Sequence, residues 1–237
     1  MAAKAKPIPS VWARRESEPD QPVLSRASIV REAIAMLDAE GIEALSMRKL
    51  GARLNAGATS LYRHVATKDE LMELAVDEAF GEIAIPEASG SDWRAAAAEA
   101  ARRFRATALR HPWLPPTLGQ AGLAYLGPNL LSFAEWLAAL FGEAGFPEPS
   151  GAIDALLSYV IGMSTTEAAW LTTIARSGET EAGFIARLTP AAQQAAGDYP
   201  HLAQQQPDTT LDPAELRDRK FAYGLEIVLD GLATRMP

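Results

Sequence analysis

The strongest constraint on this chain lies between Ser46 and Leu71, SMRKLGARLNAGATSLYRHVATKDEL, where two short helical patterns meet across a tight turn and another helix follows. Met47, Leu50 and Leu54 recur at helical spacing behind an N-cap at Ser46, leaving Arg48, Lys49 and Arg53 outside. Asn55-Ala56-Gly57 then breaks the pattern with two residues that tolerate positive φ. The spacing predicts a further helix from Ala58 to Val65, about 12 Å long at ~1.5 Å per residue, anchored by Leu61 and Val65. This is a helix-turn-helix pattern, whose second helix can lie in the major groove of DNA.

Charge is distributed to match. Up to Lys68 the chain holds 11 Lys/Arg against 7 Asp/Glu, and beyond it 11 against 23, for a formal net charge of -8. Arg48, Lys49, Arg53, Arg63 and Lys68 fall in a stretch from Ala44 to Lys68 without one acid. A basic head on an acidic body directs only the head toward phosphate, where cations release counterions.

The remaining composition excludes several classes. There is no cysteine among the 237 residues, so disulfides, thiolate metal sites and cysteine nucleophiles are absent, which fits a reducing compartment. The first residues carry no signal-like apolar run, and Glu135 and Glu167 interrupt the richest later stretches, so a cytoplasmic protein that spans no membrane is expected. His64, His111 and His201 lack metal-ligand spacing, and no cofactor is expected. With no glycine-rich phosphate loop and no Ser/His/Asp arrangement, the chain does not read as an enzyme.

Residues 1–23 carry Pro7, Pro9, Pro19 and Pro22 without an apolar period and read as a disordered arm, whose Lys4, Lys6, Arg14 and Arg15 resemble a basic tail. A first helix is predicted from Ser25, its N-cap, to a stop at Gly41, with Ile29, Val30, Ala33, Ile34 and Leu37 inward. Thr67 and Glu70 form a predicted capping box for a helix reaching Ile83 and ended by Pro86. After a linker at 87–91, helices are predicted from Asp92 to Arg110, closed by Pro112, Pro115 and Pro116, then within 127–145, 149–176 and 213–235. The stretch from Thr189 to Asp212 reads as a polar segment. The fold class is therefore all-α: a three-helix head over 24–84 with its connecting helix, and a larger helical domain over 91–237.

If the head binds DNA, Ala58, Thr59, Ser60, Tyr62 and Arg63 are the candidates for base edges. Arg63 can donate two hydrogen bonds to guanine, and the Ala58 methyl can meet a thymine methyl. Arg48, Tyr62, His64 and Lys68 suit phosphates, and at Lys68 the N-terminal dipole of the next helix reinforces the charge. His111, at a helix end in Arg110-His111-Pro112-Trp113, reads as a cap or hinge.

Leu61-Tyr62-Arg63-His64-Val65 followed by Lys68-Asp69-Glu70-Leu71, with Gly41 to Leu50 before them, resembles the DNA-binding domain of the tetracycline-repressor family over Leu24 to about Ile83. Asn55 stands where that family usually has glycine. Arg110-His111-Pro112, Ala144-Gly145-Phe146 and Tyr223-Gly224-Leu225-Glu226 with Asp230-Gly231-Leu232 resemble, more weakly, the ligand-binding domain of the tetracycline repressor's own subgroup. The resemblance implies a homodimer, paired through the helices at 149–176 and 213–235, that binds a double-stranded operator and releases it on binding a small-molecule effector. The histidine that helps hold magnesium and drug in the tetracycline-binding member is missing near Thr117 to Ala121, which argues against that ligand.

A ligand pocket is expected among the body helices, lined by some of Phe104, Trp113, Leu137, Tyr159, Met163 and Glu167, with Leu118, Phe133, Trp136 and Trp170 nearby. Glu167 stands out, because an acid in so apolar a helix needs a partner, a ligand or solvent. The other reading of the whole chain is a helical ligand-binding or scaffold dimer whose head does not read DNA sequence.

Overall fold

Helices account for the secondary structure throughout the residues that the computed structural model describes, 24–86, 92–120, 127–203 and 211–236. The basic arm at 1–23 and the linker at 87–91 lie outside them. In chain order the helices are α1 (Arg26–Glu40), α2 (Met47–Arg53), α3 (Ala58–Leu61), α4 (Lys68–Gly81), α5 (Trp93–Arg110), α6 (Leu114–Gln120), α7 (Pro128–Glu143), α8 (Pro149–Ser177), α9 (Glu181–Ala196), α10 (Pro200–Ala203) and α11 (Pro213–Ala233).

Local chemistry accounts for the starts and stops. Ser25 caps α1 by accepting from the Ser28 amide, and Gly41 ends it at φ 82°. Ser46 and Thr67 cap α2 and α4 in the same way, accepting from the amides of Lys49 and Glu70. Glu70 reaches back past the cap residue and accepts from the Ala66 amide at 2.6 Å, so the predicted capping box is shifted by one residue. In the turn between α2 and α3, Asn55 takes the positive φ (50°), whereas Gly57 is extended at φ -67° and φ freedom is not what it contributes.

Four sequence expectations change. The helix expected over 58–65 ends at Leu61. His64 then donates to the Leu61 carbonyl at 2.9 Å, a tighter i→i−3 turn that drops Val65 into the core. The helix after it ends at Gly81 rather than Ile83. Pro115 and Pro116 begin a helix instead of closing one, because the first turn of α6 needs no donors from those positions. The stretch read as a polar segment from Thr189 holds the second half of α9, with Pro190 inside it, and α10. No residue of α9 is fully buried, and its larger apolar side chains, Phe184, Ile185 and Leu188, all precede Thr189, which leaves its Ala/Gln-rich second half to read as polar.

The buried apolar residues form one cluster running from Ile29 in α1 to Leu232 in α11, and α4 carries it from head to body. Leu71, Met72, Ala75, Val76, Ala79 and Phe80 of α4 are buried, and the helix packs on α1 and on α7. Phe80 meets Phe104 of α5 and Phe133 of α7 edge-on, each at 5.9 Å between centroids. Asp77 of α4 caps α7 from outside, accepting from the amides of Asn129 (2.9 Å) and Leu130 (3.1 Å). A movement of α4 therefore carries both the head and α7.

A second tie between head and body is made at the end of α5. His111, nearly fully buried, places Nδ1 2.8 Å from Asp38 Oδ1 of α1 and Nε2 3.1 Å from Glu82 Oε2 at the end of α4. The Trp113 indole donates to the same Asp38 oxygen at 2.7 Å, and Arg110 pairs with Glu82. Both ring nitrogens face carboxylate oxygens, so only the imidazolium satisfies both. Burial pulls the His111 pKa down, but the hydrogen bonds and charges of Asp38 and Glu82 outweigh it and raise the value above 6.5. A raised folded pKa gives stability that is fully present below the unfolded value and is lost as pH rises through the folded one. Melting of the protein against pH is therefore expected to show a falling midpoint above about pH 6.5 that His111→Gln flattens. Parallel profiles for the two proteins would remove the clamp.

Candidate functional site

The helix-turn-helix is held by close contact at one glycine. A β-carbon on Gly51 of α2 would lie 2.7 Å from the Ala56 carbonyl oxygen, and the Ala56 amide donates to the Gly51 carbonyl at 2.8 Å. Leu50 and Leu61, both completely buried, then lock α2 and α3 over α1. On the outer side stand Arg48, Thr59, Tyr62 (50% exposed), Arg63 and Lys68, all exposed, with Ala58, Ser60 and His64 half-buried beside them.

The five cations of the acid-free stretch divide in three dimensions. Arg53 pairs with Glu32 and, at 3.4 Å, with Glu40, and Lys49 also pairs with Glu40 at 3.4 Å, so acids from α1 neutralise these two. Arg48, Arg63 and Lys68 have no ion-pair partner among the described residues. Sequence reasoning also missed one cation. Arg26, at the start of α1, donates to the His64 carbonyl at 3.2 Å and so brings its guanidinium to the end of the α3 turn. No local pattern joins residues 26 and 64, which meet only because α1 packs behind the turn.

In the body, Glu167 lies 8% exposed and its partners are now plain. Arg105 of α5 holds it through two parallel bonds of 2.7 Å each, and Arg217 of α11 donates to it at 3.0 Å. Arg217 also pairs with Glu181, Trp170 donates to Glu181 at 2.7 Å, and Arg105 reaches Asp218 at 2.8 Å. Burial opposes the Arg105 charge, and the bonds to Glu167 and Asp218 outweigh it, so its pKa is raised. This cluster ties α5, α8, α9 and α11 together at the floor of a cavity of about 340 Å³.

Of the residues expected at a pocket, Met163, Glu167 and Trp170 line this cavity. Phe104, Leu137 and Phe133 are buried in the core, and Trp136 stacks on Phe133 at its edge. Leu118 also packs against the core. Tyr159 is engaged in helix packing, its hydroxyl donating to the Phe221 carbonyl at 2.7 Å. Trp113 belongs to the His111 joint and to a cleft of about 620 Å³ between the end of α1, the turn after α5 and α8. Thr166, Glu181, Ile185, Pro213, Leu216, Arg217 and Lys220 complete the smaller cavity, and those from α9 went unread because α9 itself did.

Comparison with known proteins agrees with the geometry at both ends of the chain. Residues 29–75 match the model for bacterial regulatory proteins of the tetR family, and residues 85–236 match the tetracyclin repressor-like C-terminal domain. An HTH-type transcriptional regulator of Saccharopolyspora erythraea is 38% identical over 212 residues, covering 86% of each chain. The HTH-type transcriptional repressor DrrR1 of Streptomyces coeruleorubidus is 33% identical over 235 residues, covering 96% of this chain and 85% of its own. Among solved structures, the TetR family protein ActR of Streptomyces coelicolor, in complex with actinorhodin, superposes with a TM-score of 0.71 at 32% identity, over 89% of this chain and 97% of that one. The helix-turn-helix with its exposed cations and the helical body behind it are those of a DNA-binding transcriptional regulator, and the chain belongs to the tetracycline-repressor (tetR) family.

Proposed function

We propose that the protein is a cytoplasmic repressor that binds a near-palindromic operator as a homodimer and leaves it when a small molecule enters the body. The observation that carries the DNA part is the division of the head's cations. Arg48, Arg63 and Lys68 stay exposed and have no ion-pair partner among the described residues, while neighbouring Lys49 and Arg53 are neutralised by α1. On this reading Ala58, Thr59, Ser60 and Arg63 meet base edges, and Arg48, Tyr62, His64 and Lys68 hold phosphates.

Dimer formation is supported by α11, where Tyr223 (73% exposed) and Ile227 (55% exposed) leave an apolar stripe in water. The exposed positions of α8 include the small residues Ala155, Ser158 and Gly162, which allow another helix to approach closely. A dimer with its heads about 34–36 Å apart would meet successive turns of the major groove. Control by a small molecule is supported by the cavity in the body and by the complex of ActR with actinorhodin. No helix among the described residues is long and apolar enough to cross a membrane.

The test is selection of a random duplex library by the purified protein, followed by titration of the enriched duplex at several salt concentrations. A palindrome is expected. Arg63→Glu should weaken its binding about tenfold or more and lower the salt slope by roughly one to two. Unchanged affinity and slope in that variant would remove Arg63 from the interface.

A further inference from the structure

The cavity between α8, α9 and α11 has an unequal hydrogen-bonding balance. Its walls are apolar, formed by Met163, Trp170, Ile185, Pro213 and Leu216. Trp170 is fixed in place by an edge contact with Phe184 at 5.4 Å and by its own bond to Glu181. Every carboxylate oxygen on the floor already has a donor. Glu167 Oε1 accepts from Arg105 and Arg217, Glu167 Oε2 from Arg105, Glu181 Oε1 from Trp170 and Glu181 Oε2 from Arg217.

The donors are not all used. Among the described residues Arg217 Nη2 has no acceptor, and the Lys220 ammonium, which carries three donors, has neither an ion pair nor a hydrogen bond. The space left for a ligand is therefore apolar along its walls, with unspent donors in excess at one end. A cationic group there would meet carboxylate oxygens already engaged and would lie beside two cations, whereas an anion would meet Arg217 Nη2 and Lys220 Nζ, one turn apart on α11.

We propose that this cavity takes a ring-bearing, largely apolar molecule with one anionic group, a carboxylate, phenolate or sulfonate, directed at Arg217 Nη2 and Lys220 Nζ. The proposal rests on the reading of the body as an effector domain and names the effector's chemistry. It also supplies a route to the head. An anion that recruits Arg217 competes with Glu167, Glu167 holds Arg105, and α5 runs from Arg105 to the His111 joint over about 9 Å.

Two fluorescent probes that share one ring system test this on the full chain: 1-anilinonaphthalene-8-sulfonate, which is anionic, and N-phenyl-1-naphthylamine, which is uncharged. The sulfonate is expected to bind once per chain and more tightly than the amine. Lys220→Gln should weaken the sulfonate about three- to tenfold and leave the amine unchanged, while Trp170→Leu should weaken both. Equal affinities of the two probes, or a Lys220→Gln effect that is absent or the same for both, would overturn the proposal. The selected duplex separates this from the effector reading. Lys220-dependent sulfonate binding without duplex release upholds the ligand chemistry and overturns control of DNA binding from this cavity.

Discussion

Glu167→Ala is expected to lower the stability of the protein by about 3 kcal/mol, because it strips Arg105 and Arg217 of their shared partner and leaves buried charge without an anion. The side chains of Glu167 and Arg105 are only 7% and 13% exposed, so water entering from the neighbouring cavity offsets only part of the lost carboxylate. The value falls at the low end for a broken buried pair because Asp218 and Glu181 remain to hold one side of each arginine. For a chain of this size that loss corresponds to a melting midpoint lower by roughly 6 to 12 °C. Glu167→Gln, which keeps the shape and one acceptor, should lie between the two proteins. A midpoint for Glu167→Ala within about 1 °C of the wild type would show that the cluster does not hold the body together.

Gly51→Val is the second large effect, and it acts on the head alone. The added β-carbon begins 2.7 Å from a backbone oxygen, that of Ala56, so the turn itself has to open. Overpacking of that kind costs about 1–3 kcal/mol, and the helical propensity that valine gains over glycine offsets only a fraction of it. Binding suffers more than folding, because α3 is four residues long and a shift of the turn against which Leu61 packs changes its angle to α2 directly. Affinity for the selected duplex is expected to fall by about thirtyfold or more, read by gel shift, with the body's ion cluster and its cavity unaffected. Gly142→Ala, where nothing lies within 4 Å of the new carbon, is the control and should leave duplex affinity unchanged while its gain in helix propensity leaves stability equal or higher. Duplex affinity retained by Gly51→Val would mean that the Gly51–Ala56 contact does not set the angle of the reading helix.

The parts of the fold that were legible in the sequence are those where one residue's chemistry settles one local choice. Ser25, Ser46 and Thr67 cap helices where a hydroxyl before an apolar period requires it, and of the two turn residues that tolerate positive φ it is Asn55 that takes it. Glu167 needs a partner on its chemistry alone, because burial of an acid is costly wherever it occurs. Pro115 and Pro116 open a helix instead of closing one because whether a proline falls in a first turn depends on where the preceding helix stops. α9 has no fully buried residue and keeps its larger apolar side chains in its first half, so only its contact through Phe184 with Trp170 reveals what it covers.

Spacing, caps and composition within short windows are enough to dictate the all-helical class, the helix-turn-helix and the sign of charge at each end. Which cations of the head find partners among the described residues depends instead on how the helices pack. Glu32 and Glu40 lie one helix away from Arg53 and Lys49, and their reach across α1 removes two of the five charges from any interface. The same holds for the partners of Glu167, which come from residues 62 and 50 positions distant, and for the His111 joint, which spans 73 and 29. Ion pairing depends on distance in space, and no window of sequence reports that distance until the helices have packed.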